Sequence, residues 1–409
     1  MTVEALKCRE CGETYELEAL YVCENCFGPL EVAYDFSGME VEETRRKIQA
    51  GPHDIWRYAD FLPFKERPQT VLSAGMTPLI RADRLAEQLG LGEVWVKNDT
   101  TNPTHSFKDR VVTVALAKAR ELGFQVVACA STGNLANAVA AHAAAAGMES
   151  YVFIPSNLEE QKVLATGIYG TNLVGVRGNY DDVNRLCTEL SADQPWAFVN
   201  INMRPYYSEG SKTLAYEVME QLGFELPDRV VVPVASGSLF TKLNKGFEEW
   251  REVGLVTGDR PKFNGAQATG CSPVAHAFEQ GHEICRPVKP DTIAKSLAIG
   301  NPADGPYALE LARETGGSID CVTDDEIREG IKLLAQTTGV FTETAGGVTV
   351  ATLAKLAARG DIGHDERVVV YITGDGLKTL DAARGSFETY EIDPTVEAFT
   401  QNVPVAVAA

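Results

Sequence analysis

A lysine stands at the end of a polar loop in the segment Asn102–Arg110, which has the sequence NPTHSFKDR. The loop leads into a stretch with helical periodicity, so Lys108 falls in the first turn of a predicted helix. The positive end of that helix and the neighbouring Arg110 favour the neutral form of the lysine amine. A neutral amine is a nucleophile for carbonyl groups. The alternative is a solvated lysine beside Asp109.

Three further clusters of small polar residues follow predicted strands: Ser131–Asn134 (STGN), Pro233–Leu239 (PVASGSL) and Thr373–Lys378 (TGDGLK). Open α/β sheets bind ligands at such strand ends. Hydroxyl groups and free backbone amides at a helix N-terminus bind carboxylates and phosphates. An ordinary helix cap would explain one of the polar residues in STGN but not all of them. These clusters therefore indicate anion-binding sites.

Four cysteines lie within the first 26 residues as two Cys-x-x-Cys pairs, formed by Cys8 and Cys11 and by Cys23 and Cys26. Two such turns can surround a zinc ion with four thiolates. We predict a structural zinc site, with a reduced, metal-free turn or an iron site of the rubredoxin type as alternatives. The odd total of 9 cysteines argues against a secreted disulfide framework.

Composition excludes several classes of function. With 37 Lys and Arg against 57 Asp and Glu, the formal net charge is −20, which disfavours nucleic acid and anionic membranes as partners. The sequence lacks G-x-G-x-x-G, P-loop, H-E-x-x-H and G-x-S-x-G motifs, which argues against dinucleotide enzymes, NTPases, zincins and α/β hydrolases. We see no signal peptide or apolar span and expect a cytoplasmic protein.

The elements that position these clusters alternate between short β-branched runs and amphipathic segments. This alternation predicts an α/β fold with open, mostly parallel sheets flanked by helices. The predicted strands are EVWVK, QVVACA, SYVFI, AFVNI, RVVVPV and RVVVYI.

We divide the chain of 409 residues into four parts. Residues 1–36 form the four-cysteine knuckle segment, and residues 37–76 a wrap-around linker that includes a helix at EETRRKIQ. Residues 77–390 form the catalytic region of two α/β subdomains, the smaller at roughly 105–210. Residues 391–409 are a loosely held tail.

The motifs and their order resemble the threonine synthase branch of the fold type II, pyridoxal-phosphate-dependent enzymes. The resemblance extends from about Thr77 to Ala382. Many members also begin with a similar four-cysteine pair of knuckles. The motifs that carry it are TPL at Thr77–Leu79, NPTHSFKDR at Asn102–Arg110, STGN at Ser131–Asn134, EGSKT at Glu209–Thr213, IGNP at Ile299–Pro302 and TGDGLK at Thr373–Lys378.

The resemblance implies roles for several residues toward the cofactor pyridoxal 5'-phosphate. Lys108 would bond covalently to the cofactor aldehyde, Asn134 would contact the 3-hydroxyl and Thr373 would face the pyridine nitrogen. The cofactor phosphate would rest on the amides of Ser236, Gly237, Ser238 and Leu239. Ala235 and Ser238 depart from the family, which often has glycine at both positions.

The same match implies a substrate site. Ser131 and Thr132 would hold the substrate carboxylate, and the stretch from Asn200 through Asn202 to Arg204 would bind its phosphate, unless Arg204 is a surface arginine. His105, where the family usually has glycine, is predicted to touch the substrate. Lys97 is an additional candidate for the phosphate pocket.

The expected reaction converts O-phospho-L-homoserine and water to L-threonine and phosphate by β,γ-elimination and water addition. The expected assembly is a homodimer. The alternatives are a related fold type II lyase or β-replacement synthase: a phosphoserine-using enzyme such as a cysteate synthase, or a threonine dehydratase. A non-catalytic protein with the knuckle as an interaction module would bind no cofactor.

Overall fold

The computed structural model describes residues 2–178 and 180–404. The N-terminal segment forms an antiparallel sheet with the order β2-β1-β3, in which the central strand pairs with both neighbours. Helix α1 follows at the predicted position. These elements are β1 (Thr2–Cys8), β2 (Thr14–Tyr15), β3 (Leu30–Asp35) and α1 (Val41–Gln49).

A short 3-10 helix, Ile55–Phe61, leads into the edge of the larger sheet. There β4 (Leu79–Arg81) runs antiparallel to β5 (Glu93–Asn98), and α2 (Asp83–Leu89) connects the two. A single 3-10 turn, Asp99–Thr101, then directs the chain toward the smaller sheet.

The smaller sheet has four strands in the order β8-β7-β6-β9, and all of its pairs are parallel. Each strand is followed or preceded by a helix, as parallel crossovers require. The elements in chain order are α3 (Lys108–Glu121), β6 (Val126–Ala130), α4 (Asn134–Ala146), β7 (Glu149–Pro155), α5 (Glu160–Gly167), β8 (Asn172–Val176), α6 (Tyr180–Asp193) and β9 (Ala197–Phe198).

Helix α7 returns the chain to the larger sheet, whose order is β12-β11-β10-β13-β5-β4. Its pairs are parallel except at β4, as expected for valine-rich strands covered on both faces. The remaining elements are α7 (Arg204–Gln221), β10 (Arg229–Pro233), α8 (Ser238–Val253), β11 (Lys262–Ala268), α9 (Pro273–Glu279), α10 (Gly305–Glu314), β12 (Ser318–Val322), α11 (Asp324–Thr338), α12 (Thr344–Arg359), β13 (Arg367–Ile372) and α13 (Val396–Asn402).

The predicted fold class is confirmed, and all six predicted strands are present. Seven strands were not predicted: β1, β2 and β3 of the N-terminal segment, and β4, β8, β11 and β12 of the two larger sheets. The predicted tail contains helix α13, and its residues 405–409 lie outside the described residues. None of the helices in residues 2–178 and 180–404 has the length and apolar character needed to cross a membrane.

A buried ion network joins the larger sheet to helices α3 and α7. The Arg110 guanidinium lies 2.6 Å from Asp99 Oδ2 and 2.8 Å from Glu217 Oε2, and Lys97 Nζ lies 2.6 Å from the same Glu217 oxygen. All four side chains are at most 1% exposed, and their formal charges cancel. The two cations hold the pKa of Glu217 at about 2 against the opposing effect of burial.

Helix α7 also passes very close to helix α3 at Gly210. A Cβ added at that glycine would lie 2.5 Å from the carbonyl oxygen of Arg110. Only glycine allows the two backbones to approach this closely. The ion network and this contact therefore fix the relative position of the two helices.

We expect Arg110→Met to destabilise the protein by about 3 to 5 kcal/mol, because two buried carboxylates lose a partner. Urea unfolding at neutral pH measures the change. The control is Arg185→Ala, which removes an exposed arginine 3.0 Å from Glu189 and should change stability by less than about 0.5 kcal/mol. A loss below about 1 kcal/mol for Arg110→Met would contradict the role given to the network.

Candidate active site

Four residues predicted for the site are each the first residue of a helix. The backbone amides of the first helical turn lack partners within the helix and point out of its end. Such ends attract anions. The four are Lys108 of α3, Asn134 of α4, Arg204 of α7 and Ser238 of α8.

Lys108 is tied to the loop after β13. The amide of Phe107 donates to the Thr373 carbonyl oxygen at 2.9 Å, and the amide of Asp375 donates to the His105 carbonyl oxygen at 3.0 Å. An isolated bridge between Ser106 and Gly374 continues this pairing. The structure therefore brings Lys108 next to Thr373, although they are 265 positions apart in the chain.

Asn134 reaches the same loop through a carboxylate that the sequence analysis missed. Its side-chain amide donates to Glu343 Oε2 at 3.0 Å, and the Glu343 backbone amide donates to the Gly374 carbonyl oxygen at 3.0 Å. Glu343 is only 3% exposed, and burial raises its pKa. A Cβ at position 374 would lie 2.5 Å from this carboxylate, which explains the glycine there.

The predicted phosphate loop turns sharply at Gly237, whose φ of +96° favours glycine. The Ser236 carbonyl oxygen accepts a 2.8 Å hydrogen bond from the Asp304 amide, so the loop lies against Asp304. Arg204 Nη2 lies 2.8 Å from Asp304 Oδ2. This ion pair places Arg204 beside the loop at the start of α8.

The first turn of α7 joins the phosphate-loop side of the site to the lysine. The Tyr207 hydroxyl lies 2.8 Å from Lys108 Nζ, and Arg204 lies three residues earlier in the same turn. Contacts between neighbours therefore link Lys108, Thr373, Asn134, Arg204 and Ser236 into one region. The positions of these residues are set by the N-terminal ends of α3, α4, α7 and α8.

Ser131 acts in part as an ordinary cap. Its hydroxyl oxygen accepts from the amides of Gly133 at 3.4 Å and Ala136 at 3.3 Å, at the start of α4. Thr132 follows it and is partly buried. Both residues precede Asn134, so they lie at the N-terminal end of α4 together with this predicted cofactor-binding residue. Their contact with the substrate stays a prediction.

The structure does not bring Lys97 to this region. Its ammonium is fully buried and contacts the Thr77 carbonyl oxygen at 2.7 Å, Gln221 Oε1 at 2.9 Å and Glu217 at 2.6 Å. These three contacts use all of its donors.

The two predicted asparagines lie in the turn that precedes α7. Asn202 accepts from the Phe198 amide at 2.8 Å and donates to the Trp196 carbonyl oxygen at 3.0 Å, so its side chain shapes this turn. Asn200 Oδ1 is buried and has no hydrogen-bond partner among the described residues. Of the two, Asn200 retains a free acceptor for a ligand.

His105 has an exposed side chain and a backbone φ of +62°. This left-handed conformation accounts for the glycine that the resembling family usually has here, since glycine adopts it without strain. The ring Nδ1 lies 3.4 Å from the Thr100 carbonyl oxygen. Its predicted contact with the substrate stays a prediction.

The predicted effect of Arg110 on Lys108 was wrong. Arg110 was expected to favour a neutral Lys108, but its guanidinium is buried between Asp99 and Glu217. Asp99 and Glu217 together neutralise the positive charges of Arg110 and Lys97. The helix end remains the source of positive potential at Lys108.

Three residues of the region had no role in the sequence analysis: Tyr207, Glu343 and Asp304. Weak signals were present for two of them. Tyr207 lies in RPYYSEGSKT beside the predicted Arg204, and Glu343 precedes the small residues of TAGG at the start of a helix. Asp304, which is buried, carries no sequence pattern that distinguishes it from the other acidic residues of the chain.

The four N-terminal cysteines form a compact cluster whose sulfur atoms all lie within 4.8 Å of one another. Three of the Sγ–Sγ distances are 3.4, 3.5 and 3.6 Å. A tetrahedral ion bound at about 2.3 Å by four sulfurs has edges of roughly 3.8 Å. The Tyr15 hydroxyl lies 3.1 Å from Cys23 Sγ and lowers the thiol pKa to about 6. The cluster therefore fits a metal ion bound by thiolates.

The donor set around Lys108 also suits pyridoxal phosphate. It offers an amine that can bond to an aldehyde, an amide beside a buried carboxylate, and the start of α8 for a phosphate. A Ser-Gly-Ser turn with a left-handed glycine at that start is a common form of phosphate cradle.

Comparison with known proteins agrees with this donor set. The family described as pyridoxal-phosphate dependent enzyme matches residues 71–374, and the chain belongs to this family. The chain is 40% identical over 392 residues to a threonine synthase of Methanocaldococcus jannaschii, which covers 95% of this chain and 96% of that protein. It is also 40% identical over 376 residues to a threonine synthase of Methanosarcina acetivorans, covering 91% and 92%.

Solved structures show the same fold at lower identity. Threonine deaminase isoform 2 from Solanum lycopersicum has a TM-score of 0.65 and 22% identity, and the match covers 85% of this chain and 89% of that one. An O-ureido-L-serine synthase has a TM-score of 0.63 and 19% identity, covering 80% and 96%. The chain therefore shares the fold of these enzymes over most of its length.

We expect Cys23→Ser to reduce bound metal from about one ion per chain to a small fraction of that, and to lower the melting temperature. Elemental analysis of protein purified without chelator measures the first effect, and calorimetry the second. The control is Cys321→Ser, outside the cluster, which should keep the metal. Wild-type protein with no stoichiometric metal would contradict the assignment.

Proposed function

We propose that this protein is a threonine synthase, a pyridoxal-phosphate-dependent lyase that converts O-phospho-L-homoserine and water to L-threonine and phosphate. The observation that carries the proposal is the similarity to threonine synthases over 95% of the chain. The contacts that join Lys108 to Thr373 and to the first turn of α7 support it independently.

The cofactor would be held by residues at three helix starts. Lys108 would bond to its aldehyde, and the amides of Ser236, Gly237, Ser238 and Leu239 would bind its phosphate at the positive end of α8. The Asn134 amide nitrogen lies 3.2 and 3.0 Å from the two Glu343 carboxylate oxygens, and one of its two N–H groups would donate to the 3-oxygen of the cofactor. Thr373 would face the ring nitrogen with a neutral hydroxyl. Bound pyridoxal phosphate would supply the electron sink that makes protons on the substrate carbons acidic.

The substrate brings a carboxylate and a phosphate, and the region has a candidate for each. Ser131 and Thr132 precede α4, where free amides favour a carboxylate. Arg204 begins α7 and is 31% exposed, so its guanidinium keeps donors beyond the one that contacts Asp304. A planar guanidinium binds a phosphate through two parallel hydrogen bonds.

Lys108 is the proposed base and acid for the proton transfers. Released from the aldehyde, its amine would take a proton from the α-carbon and give that proton up again to the substrate–cofactor adduct. The neutral amine would then take a second proton from the β-carbon, which allows the γ-phosphate to leave. Water then adds at the β-carbon. The amine is half-buried and lies 4.5 and 5.5 Å from the ring centres of Phe107 and Tyr207, which shield it in part from bulk water.

Three further features belong to this proposal. Zinc is the ion we assign to the four-cysteine cluster, because four thiolates fill a tetrahedral site and leave no open position. A homodimer is supported by large apolar side chains that stay exposed near the C-terminus, such as Phe387 and Val396. Cytoplasmic localisation is supported by the nine cysteines, all within the described residues, because none of them is paired in a disulfide.

Lys108→Ala should lower phosphate release from O-phosphohomoserine by about three orders of magnitude or more, because the covalent attachment and the proton carrier are lost together. Coupled phosphate detection measures the rate, and elemental analysis should show unchanged metal. The control is Lys47→Ala on α1, which is 61% exposed and should turn over normally.

The same assay distinguishes the alternative reactions. Wild-type protein that releases phosphate from O-phosphoserine faster than from O-phosphohomoserine would contradict the proposed reaction and favour a β-replacement synthase. Lys108→Ala that still forms threonine above background would contradict the role of the lysine.

Arg204→Ala should weaken transition-state binding of O-phosphohomoserine by about 2 to 4 kcal/mol, seen as a fall in kcat/KM. The substitution also leaves Asp304 unpaired beside the proposed cofactor phosphate. The double variant Arg204→Ala with Asp304→Asn removes that repulsion and should bind cofactor normally while keeping the kinetic defect. If kcat/KM in the double variant is within a factor of about three of wild type, Arg204 does not bind the phosphate.

A further inference from the structure

Tyr207 is the hydrogen-bond partner of the reactive lysine. Its hydroxyl lies 2.8 Å from Lys108 Nζ. Both residues lie in the first turns of their helices, α7 and α3, whose relative position is fixed by the buried ion network. The contact is therefore built into the packing of two helices.

The hydroxyl of Tyr207 is placed by rings and by backbone bonds. Its ring centre lies 5.5 Å from Lys108 Nζ, and the ring of Phe107 lies 4.5 Å from the same atom. The Tyr207 amide donates to the Met203 carbonyl oxygen at 2.9 Å. Both rings also pack against the apolar cluster between α3 and the smaller sheet. The tyrosine therefore has little freedom to turn away from the amine.

The neighbouring Tyr206 has a different task. It is fully buried, and its hydroxyl donates to the Glu18 carbonyl oxygen of the N-terminal segment at 2.9 Å. Successive residues of a helix point about 100° apart, so two adjacent tyrosines face two different parts of the protein. The two tyrosines can therefore be compared: the hydroxyl of Tyr206 binds the backbone of the N-terminal segment, and that of Tyr207 contacts Lys108.

A phenol can form a hydrogen bond with an amine in either of the amine's protonation states. It donates its O–H to a neutral amine and accepts an N–H from an ammonium. The pKa values of phenols and primary amines in model peptides lie within about one unit of each other. Proton transfer between the two groups is therefore not strongly favoured in either direction. Asparagine or serine could also bond in both ways, but tyrosine adds the apolar shield around the amine.

We propose that Tyr207 is a catalytic residue: its hydroxyl hydrogen-bonds Lys108 Nζ both before and after the lysine takes a proton from the substrate carbon. The electron pair of the broken C–H bond stays on the substrate, the proton stays on Nζ, and the phenol changes from donor to acceptor without losing its own proton. This inference rests on the proposed function for the identity of the substrate and for the role of Lys108.

The same hydrogen bond aims the amine before any substrate is present. A neutral amine that accepts the phenol O–H keeps its nitrogen within reach of the incoming cofactor aldehyde. The rate at which Lys108 captures pyridoxal phosphate therefore reports on Tyr207 without using the lyase reaction.

The test compares Tyr207→Phe with the matched variant Tyr206→Phe in the full-length enzyme. We expect Tyr207→Phe to lower kcat about 100-fold, with KM for O-phosphohomoserine and the melting temperature close to wild type. Capture of added pyridoxal phosphate by the cofactor-free chain, followed by absorbance, should slow about 10-fold. Tyr206→Phe should lower the melting temperature and leave kcat within a factor of about three.

Three results would overturn the inference: a Tyr207→Phe variant with kcat within about threefold of wild type, one in which KM rises while kcat holds, or one that captures the cofactor at the wild-type rate. The second result would place Tyr207 at the substrate phosphate instead. Failure of the proposed function looks different, because wild-type enzyme would then not release phosphate from O-phosphohomoserine, while slower cofactor capture by Tyr207→Phe would still support the contact.

Discussion

The buried ion network of Asp99, Arg110, Glu217 and Lys97 is the constraint on which the rest of the site depends. Each member is at most 1% exposed, so none can exchange its partner for water. Buried charges are tolerable only when their partners stay in contact. Because the members come from β5, the turn after it, α3 and α7, these elements must keep one arrangement. The arrangement places the first residues of α3 and α7 at the same region, and those residues are Lys108 and Arg204.

At the site, the N-termini of four helices lie in one region, and two carboxylates offset part of their positive potential. Helices α3, α4, α7 and α8 begin there, which would repel further cations and attract anions. Glu343 and Asp304 each contact a helix-start residue, Asn134 and Arg204 respectively. Such pairing orients the amide and the guanidinium before a ligand arrives, which reduces the cost of ordering them on binding. Preorganised donors of this kind suit a cofactor and a substrate that both carry phosphate.

The N-terminal segment is attached to the back of the same helices. Tyr34 donates to Glu209 on α7 at 2.6 Å, Lys245 on α8 donates to the Val32 carbonyl oxygen at 2.7 Å, and Tyr206 bonds to Glu18. Glu209 belongs to the EGSKT motif, whose Lys212 is also buried, so that motif serves helix packing in this structure. Metal binding by the cysteines would therefore affect the site by steadying α7 and α8 rather than through chemistry.

The sequence by itself determined the fold class, six strands and the motifs at the strand ends, because periodicity, β-branched runs and local turn residues act over a few positions. It could not determine that Arg110 turns away from Lys108, that Lys97 is enclosed, or that Tyr207 and Glu343 reach the site. Those outcomes depend on contacts formed by folding. Lys108 and Tyr207 are 99 positions apart in the chain, and Asn134 and Glu343 are 209 positions apart. Such side chains are brought together by the packing of α3 against α7 and by the approach of the first residue of α4 to Glu343, the residue before α12. Burial selects these partners by space and charge, not by their order in the chain.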